Sequence, residues 1–122
     1  MGKEAVEPIK QKVRLVSEEQ IEAIKKAHPG LYAEGKIKRV ILPLDDEGNE
    51  SLEVIVRVAD RDTVTQFMRF NDSQPKKAQE IIVNQCLLTS KDEVKADDNL
   101  FLTVVGAIAE LFPIRQATIK NL

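Results

Sequence analysis

Residues 36 to 59, KIKRVILPLDDEGNESLEVIVRVA, decide the fold class. In KIKRVILPL, Val40, Leu42 and Leu44 fall on one face. In SLEVIVRVA, Leu52, Val54, Val56 and Val58 share a face, with Glu53 and Arg57 opposite. Period-two alternation with β-branched residues predicts two half-buried antiparallel strands. DDEGNE between them is a turn in which Gly48-Asn49 can take positive φ. Pro43 has no N–H to give a ladder, so its strand is either at a sheet edge or ending there.

Outward from this hairpin the pattern turns helical. Upstream, Ser17 begins SEEQ, with Gln20 at capping-box spacing and Glu18 and Glu19 in the first turn, where the macrodipole favours acids. Ile21, Ile24 and Ala27 share one face, and Pro29-Gly30 is expected to stop this helix. VRLV at 13 to 16 is a short strand or a lead-in. Residues 1 to 12, with charge, Pro8 and few apolar side chains, are expected to form a mobile arm before one domain over 13 to 122.

Downstream, Asp60 can cap a helix DRDTVTQFMRF whose Val64, Phe67 and Met68 face one way. Pro75 fits the first turn of the next, where Ala78, Ile82 and Cys86 recur every four residues. TSKDEVKADD reads as a polar loop, and Asp97 or Asp98 as the cap of NLFLTVVGAIAELF. That segment is apolar almost all round, so it is expected to be the central buried helix, with Gly106 allowing a neighbour close. Pro113 ends it, and PIRQATIKNL is a short helix or an extended arm. The order is a helix, a hairpin and three helices. That is an α+β fold: an N-terminal helix, an antiparallel β-hairpin or small sheet, and a three-helix C-terminal half packed on one face.

The totals suit one domain. The 122 residues are 43% hydrophobic and 31% charged, with a formal net charge of −2. No clustered basic face is available for a nucleic-acid backbone. No apolar run reaches the ~18 residues of a membrane span, and MGKEAVEPIKQK lacks the apolar core of a signal peptide. The single cysteine cannot form an internal disulfide, which fits a reducing compartment. A cytosolic protein is expected, with no nucleic-acid or membrane partner.

Catalytic chemistry finds little to work with. Cys86 sits on an apolar helical stripe among Ile82, Val83, Leu87 and Leu88, without the basic neighbour that lowers a thiol pKa, so it reads as buried and inert. His28 falls where a helix C-terminus favours a basic group. One His and one Cys cannot make a zinc set. Asp45 and Asp46 read as turn residues, Asp97 and Asp98 as caps. Phosphate-binding, nucleophile-elbow and zincin motifs are missing. No enzyme, metal or cofactor is expected.

The stretch from Ala78 to Leu122 resembles the C-terminal part of a family of small bacteriophage and prophage proteins that look like tail assembly chaperones. The shared features are an Asn-x-Cys step (Asn84, Cys86), a polar loop ending in Asp97-Asp98, and LFLTVVGAIAEL. Upstream, SEEQIEAIKKAH, Gly30, Tyr32, the two strands and DRDTVTQFMRF occupy matching places, so the likeness spans about residues 17 to 122. It implies a non-enzymatic protein of the bacterial host cytoplasm. Such a protein binds the phage tape measure protein and keeps its apolar helices soluble until tail-tube subunits replace it. This asks for an accessible apolar strip. Candidates are Ile37, Ile41 and Ile55 on the second face of the hairpin, and Ile114 and Ile119 in the tail. The same apolar residues could instead complete the core or a homo-oligomer contact. The other reading is a small structural virion component, a tail or head–tail joining protein.

Overall fold

A computed structural model describes residues 12 to 122, so the expected arm over 1 to 12 lies outside the described residues save for Lys12. Lys12 is already in a strand: β1 (Lys12–Arg14) runs parallel to β3 (Glu50–Arg57). β2 (Ile37–Pro43) pairs antiparallel with the other side of β3, from Ile37 opposite Arg57 to Pro43 opposite Ser51. The order β1-β3-β2 puts β3 in the centre and makes the sheet mixed rather than purely antiparallel. Pro43 is both at the edge and the last residue of its strand, as its missing donor requires. Gly48 takes φ +75° in the connecting turn, where the Asn49 N–H donates to Asp45 Oδ1 at 2.8 Å.

The helices form where local signals asked for them. α1 (Glu18–Ala27) opens on a complete capping box, in which Ser17 Oγ accepts from the Gln20 N–H at 3.2 Å and Gln20 Oε1 from the Ser17 N–H at 3.4 Å. Pro29 ends α1 but also begins a second helix, α2 (Pro29–Ala33), because proline at the first helical position loses only an N–H that no helix would use. α3 (Arg61–Asn71) is capped by Asp60 and packs against α4 (Pro75–Cys86). The stretch expected to be a polar loop instead contains α5 (Lys91–Ala96), one and a half turns held down by the buried side chain of Val94. Asp97 then caps α6 (Asp98–Glu110). The C-terminal half therefore has four helices, not three.

The core lies between the sheet and α4 and α6. Leu42, Leu52, Val54 and Val56 meet Ile82, Val83, Cys86, Leu87, Val104 and Ile108, all buried. Each large aliphatic side chain so buried contributes roughly 1.5–3 kcal/mol of transfer free energy. Phe67 of α3 reaches Phe112 beyond α6 edge to face, with ring centroids 5.4 Å apart.

Four packing expectations need correction. α6 is not the central helix: Leu100, Val104 and Ile108 are buried, but Leu102 and Thr103 face outward, so it covers the core from one side. Gly106 is on that open side, with no atom of another element within 4 Å of where a Cβ would stand. Met68 is exposed while Val64 and Phe67 pack inward. The helices also do not keep to one face of the sheet, because Ile21 and Ile24 of α1 and Tyr32 of α2 stand over its second face.

Candidate binding cleft

β3 is the reason the second face is not a simple polar surface. This strand is paired along both edges and packed on both faces, and its residues from Ser51 to Val56 are all buried. Ile55 is only 3% exposed. Its N–H donates to Thr89 Oγ1 at 3.0 Å and its carbonyl accepts from the Leu88 N–H at 2.9 Å. Residues 87 to 89 thus continue the sheet edge that the three-residue β1 leaves uncovered. Glu53 is 4% exposed, and its carboxylate is fully engaged. Oε1 accepts from the Val16 N–H at 3.0 Å, and Oε2 pairs with Arg39 Nε at 3.0 Å. A buried charge is tolerable when its lone pairs are met in this way.

Between this face and α1–α2 lies an open cleft of about 310 Å³. Its apolar walls are Ile21, Ile24, Ile37, Ile55 and the ring of Tyr32, and its rim is charged: Glu18, Lys25, Lys38 and Arg39. Lys25 Nζ lies 4.9 Å from the Tyr32 ring centroid and 3.4 Å from Glu22 Oε2. The hydrogen bond to Glu22, then its charge, raise the Lys25 pKa. Lys25 therefore places a positive charge beside the aromatic wall.

Of the residues expected to contact a partner, Ile37 and Ile55 come together in this cleft, with Ile55 as floor rather than free surface. Ile41 is on the same face of β2 but outside the cleft, half exposed at 50%. Ile114 lines a shallow hollow with Phe112 and Arg115, and Ile119 is 91% exposed in a tail without helix or strand. The α1–α2 wall was missed, although Ile21 and Ile24 were visible as a helical stripe, because the stripe does not say which surface it faces.

The chemistry-bearing residues are dispersed. Cys86 is buried in the core, where desolvation pushes its thiol up to about 11. His28 belongs to the turn between α1 and α2, its N–H donating to the Ile24 carbonyl at 2.9 Å. Asp97 Oδ1 accepts from the Leu100 N–H at 3.1 Å as a cap. Among the described residues no three His, Cys, Asp or Glu side chains are grouped as a metal site. No described helix is long and apolar enough to cross a membrane. Comparison with protein-family models, with curated proteins and with solved structures gives no match. The cleft is the feature on which a functional reading has to stand.

Proposed function

We propose that this protein acts by binding, holding apolar side chains of another polypeptide in the cleft between α1–α2 and the sheet. On the likeness of residues 17 to 122 to phage proteins, we further propose that it serves as a tail assembly chaperone for a tape measure protein. The observation that carries the binding reading is the composition of the cleft. Its walls are aliphatic and aromatic, open to water, and rimmed by charges that would orient a partner without anchoring it covalently. At about 310 Å³ it is at the small end of ligand pockets, a size that accepts one or two large side chains.

The test is co-expression with the tape measure protein of a phage or prophage that encodes this chain, read by size-exclusion chromatography with light scattering. The expected result is a soluble complex, with the partner insoluble alone, and loss of that complex in Ile24→Asp. A partner that stays insoluble, or a complex indifferent to Ile24→Asp, overturns the reading.

A second reading, a small structural virion component, is favoured by the tail from Pro113 to Leu122. It has no helix or strand, and Ile114, Ile119 and Leu122 are in water. An extended arm with exposed apolar side chains is suited to holding a neighbouring subunit. A virion component remains in purified particles; a chaperone does not.

A further inference from the structure

The two edges of the sheet are not treated alike. On one side β3 is covered by β1 and then by residues 87 to 89. On the other, β2 is the last strand among the described residues. In an antiparallel ladder, residues alternate between those that bond the neighbour and those that point away. Val58 N donates to the Lys36 carbonyl and Leu44 N to the Glu50 carbonyl, both at 2.8 Å, so the even-numbered residues of β2 serve β3. The backbone groups of Ile37, Arg39, Ile41 and Pro43 therefore point outward. The ladder with β3 thus does not use the N–H of Ile37, Arg39 or Ile41, and among the described residues no loop or turn hydrogen bond reaches them. Pro43 falls at an outward position, where its missing N–H does not interrupt the existing ladder.

Charge is also distributed unevenly along this strand. Lys36, Lys38 and Arg39 stand at its start, and Asp45, Asp46 and Glu47 just past its end. Two such strands laid antiparallel bring each basic end beside the acidic end of the other, whereas parallel alignment stacks like on like. We propose that β2 pairs antiparallel with β2 of a second copy, joining two three-stranded sheets into one of six.

The register follows from the donors. With a two-fold axis at Val40, Arg39 of each copy faces Ile41 of the other, and Ile37 faces Pro43. Every outward N–H then finds a carbonyl, and Pro43 serves only as an acceptor, which is all it can be. Val40 meets Val40 on the helix side, and within the two strands no like charges are directly opposite. Arg39 brings its own counter-ion, Glu53. Ile41, 50% exposed, passes from water to the centre of the joined sheet. The contact is isologous and closes on itself, so it yields a dimer and not a filament. Edge lysines ordinarily discourage such pairing; here the acidic run at the other end turns them into a register signal.

The experiment is sedimentation velocity on the full chain, without any partner, from about 1 μM to about 1 mM. A monomer–dimer equilibrium is expected, weakening as salt rises. Ile41→Pro, which removes one outward donor, is expected to weaken it by about tenfold or more. Lys36→Glu with Lys38→Glu, and separately Asp46→Lys with Glu47→Lys, each weaken it, while the four changes together restore it. These four side chains are exposed, so the charge set decides the matter even where circular dichroism shows that Ile41→Pro does not fold. A chain that stays monomeric throughout, or an oligomer that the charge reversals neither weaken nor restore, overturns the proposal. Because no partner is present, the result does not depend on the chaperone reading.

Discussion

The two faces of the sheet are built from the same kind of residue and end up with different properties. Toward α4 and α6, Leu42, Val54 and Val56 are sealed under Ile82, Val83, Val104 and Ile108, and no polar side chain interrupts the contact. Toward α1 and α2, Ile37 and Ile55 are joined by a buried carboxylate, a surface arginine and an open cleft. The difference lies in what the covering elements bring. α4 and α6 carry broad apolar stripes, whereas α1 has no fully buried residue and offers only Ile21 and Ile24. The first face can supply most of the stability, which leaves the second free to be incomplete.

Ile82→Ala is the sharpest way to break the sealed face. Ile82 is fully buried in the middle of α4, so truncation is expected to cost about 2–5 kcal/mol in urea denaturation. A smaller value would mean that the face relaxes around the hole. Glu53→Ala is the matching change on the open face. It leaves the Val16 N–H without its acceptor and Arg39 without its partner, an expected loss of about 1.5–3 kcal/mol. Glu53→Gln, which keeps one acceptor, should lose less. If both variants unfold like the parent chain, the carboxylate is incidental and the open face contributes nothing.

Asp60→Ala tests how firmly α3 is tied beneath the sealed face, and about 1 kcal/mol is expected from the lost cap. The hydrogen bond from the Thr63 N–H at 2.8 Å holds the Asp60 carboxyl below its ordinary value of 3.8. A depressed folded-state pKa means that the contribution is complete above pH 3.8 and fades as pH falls through the lower folded value. The stability difference between parent and variant should shrink across that acid range. The smallest effect expected is that of Cys86→Ala, about 1 kcal/mol or less. Its thiol, raised to about 11 and buried, should react with thiol reagents only as fast as the chain opens.

What could be read in advance was local. Ser17, Asp60 and Asp97 announce their helices through side chains that bond backbone three residues on. The period-two runs around Pro43 give the hairpin and the face that Ile37, Ile41 and Ile55 share. What could not be read depends on distant neighbours. β1 is three residues long and pairs with residues 38 positions away, so VRLV at 13 to 16 reads only as a short strand or a lead-in, with no partner indicated. Glu53 looks like a solvent-facing residue until the second face of β3 proves covered, with Val16 and Arg39 on its carboxylate. α5 has a single apolar anchor, Val94, too little for a periodicity. α6 is so rich in apolar residues that its exposed side, with Leu102 and Gly106, is invisible without the layer beneath. The cleft was half legible for the same reason: one wall is a strand face, and the other is a helix whose position only the tertiary structure fixes.

The parallel pairing of Lys12–Arg14 with Glu50–Leu52 has a consequence for how the chain is made. The strand synthesised first can take no place in the sheet until the strand that holds it has left the ribosome. In the interval α1 can already form, since its capping box needs only its own residues. β2 can pair with β3 as soon as the turn at Gly48 closes, a connection between near neighbours in sequence. β1 must close a far longer loop to reach the same strand, so it is expected to arrive after the hairpin. The edge opposite β2 is thus the last to be covered, and a nascent chain passes through a stage in which β3 is bare on that side.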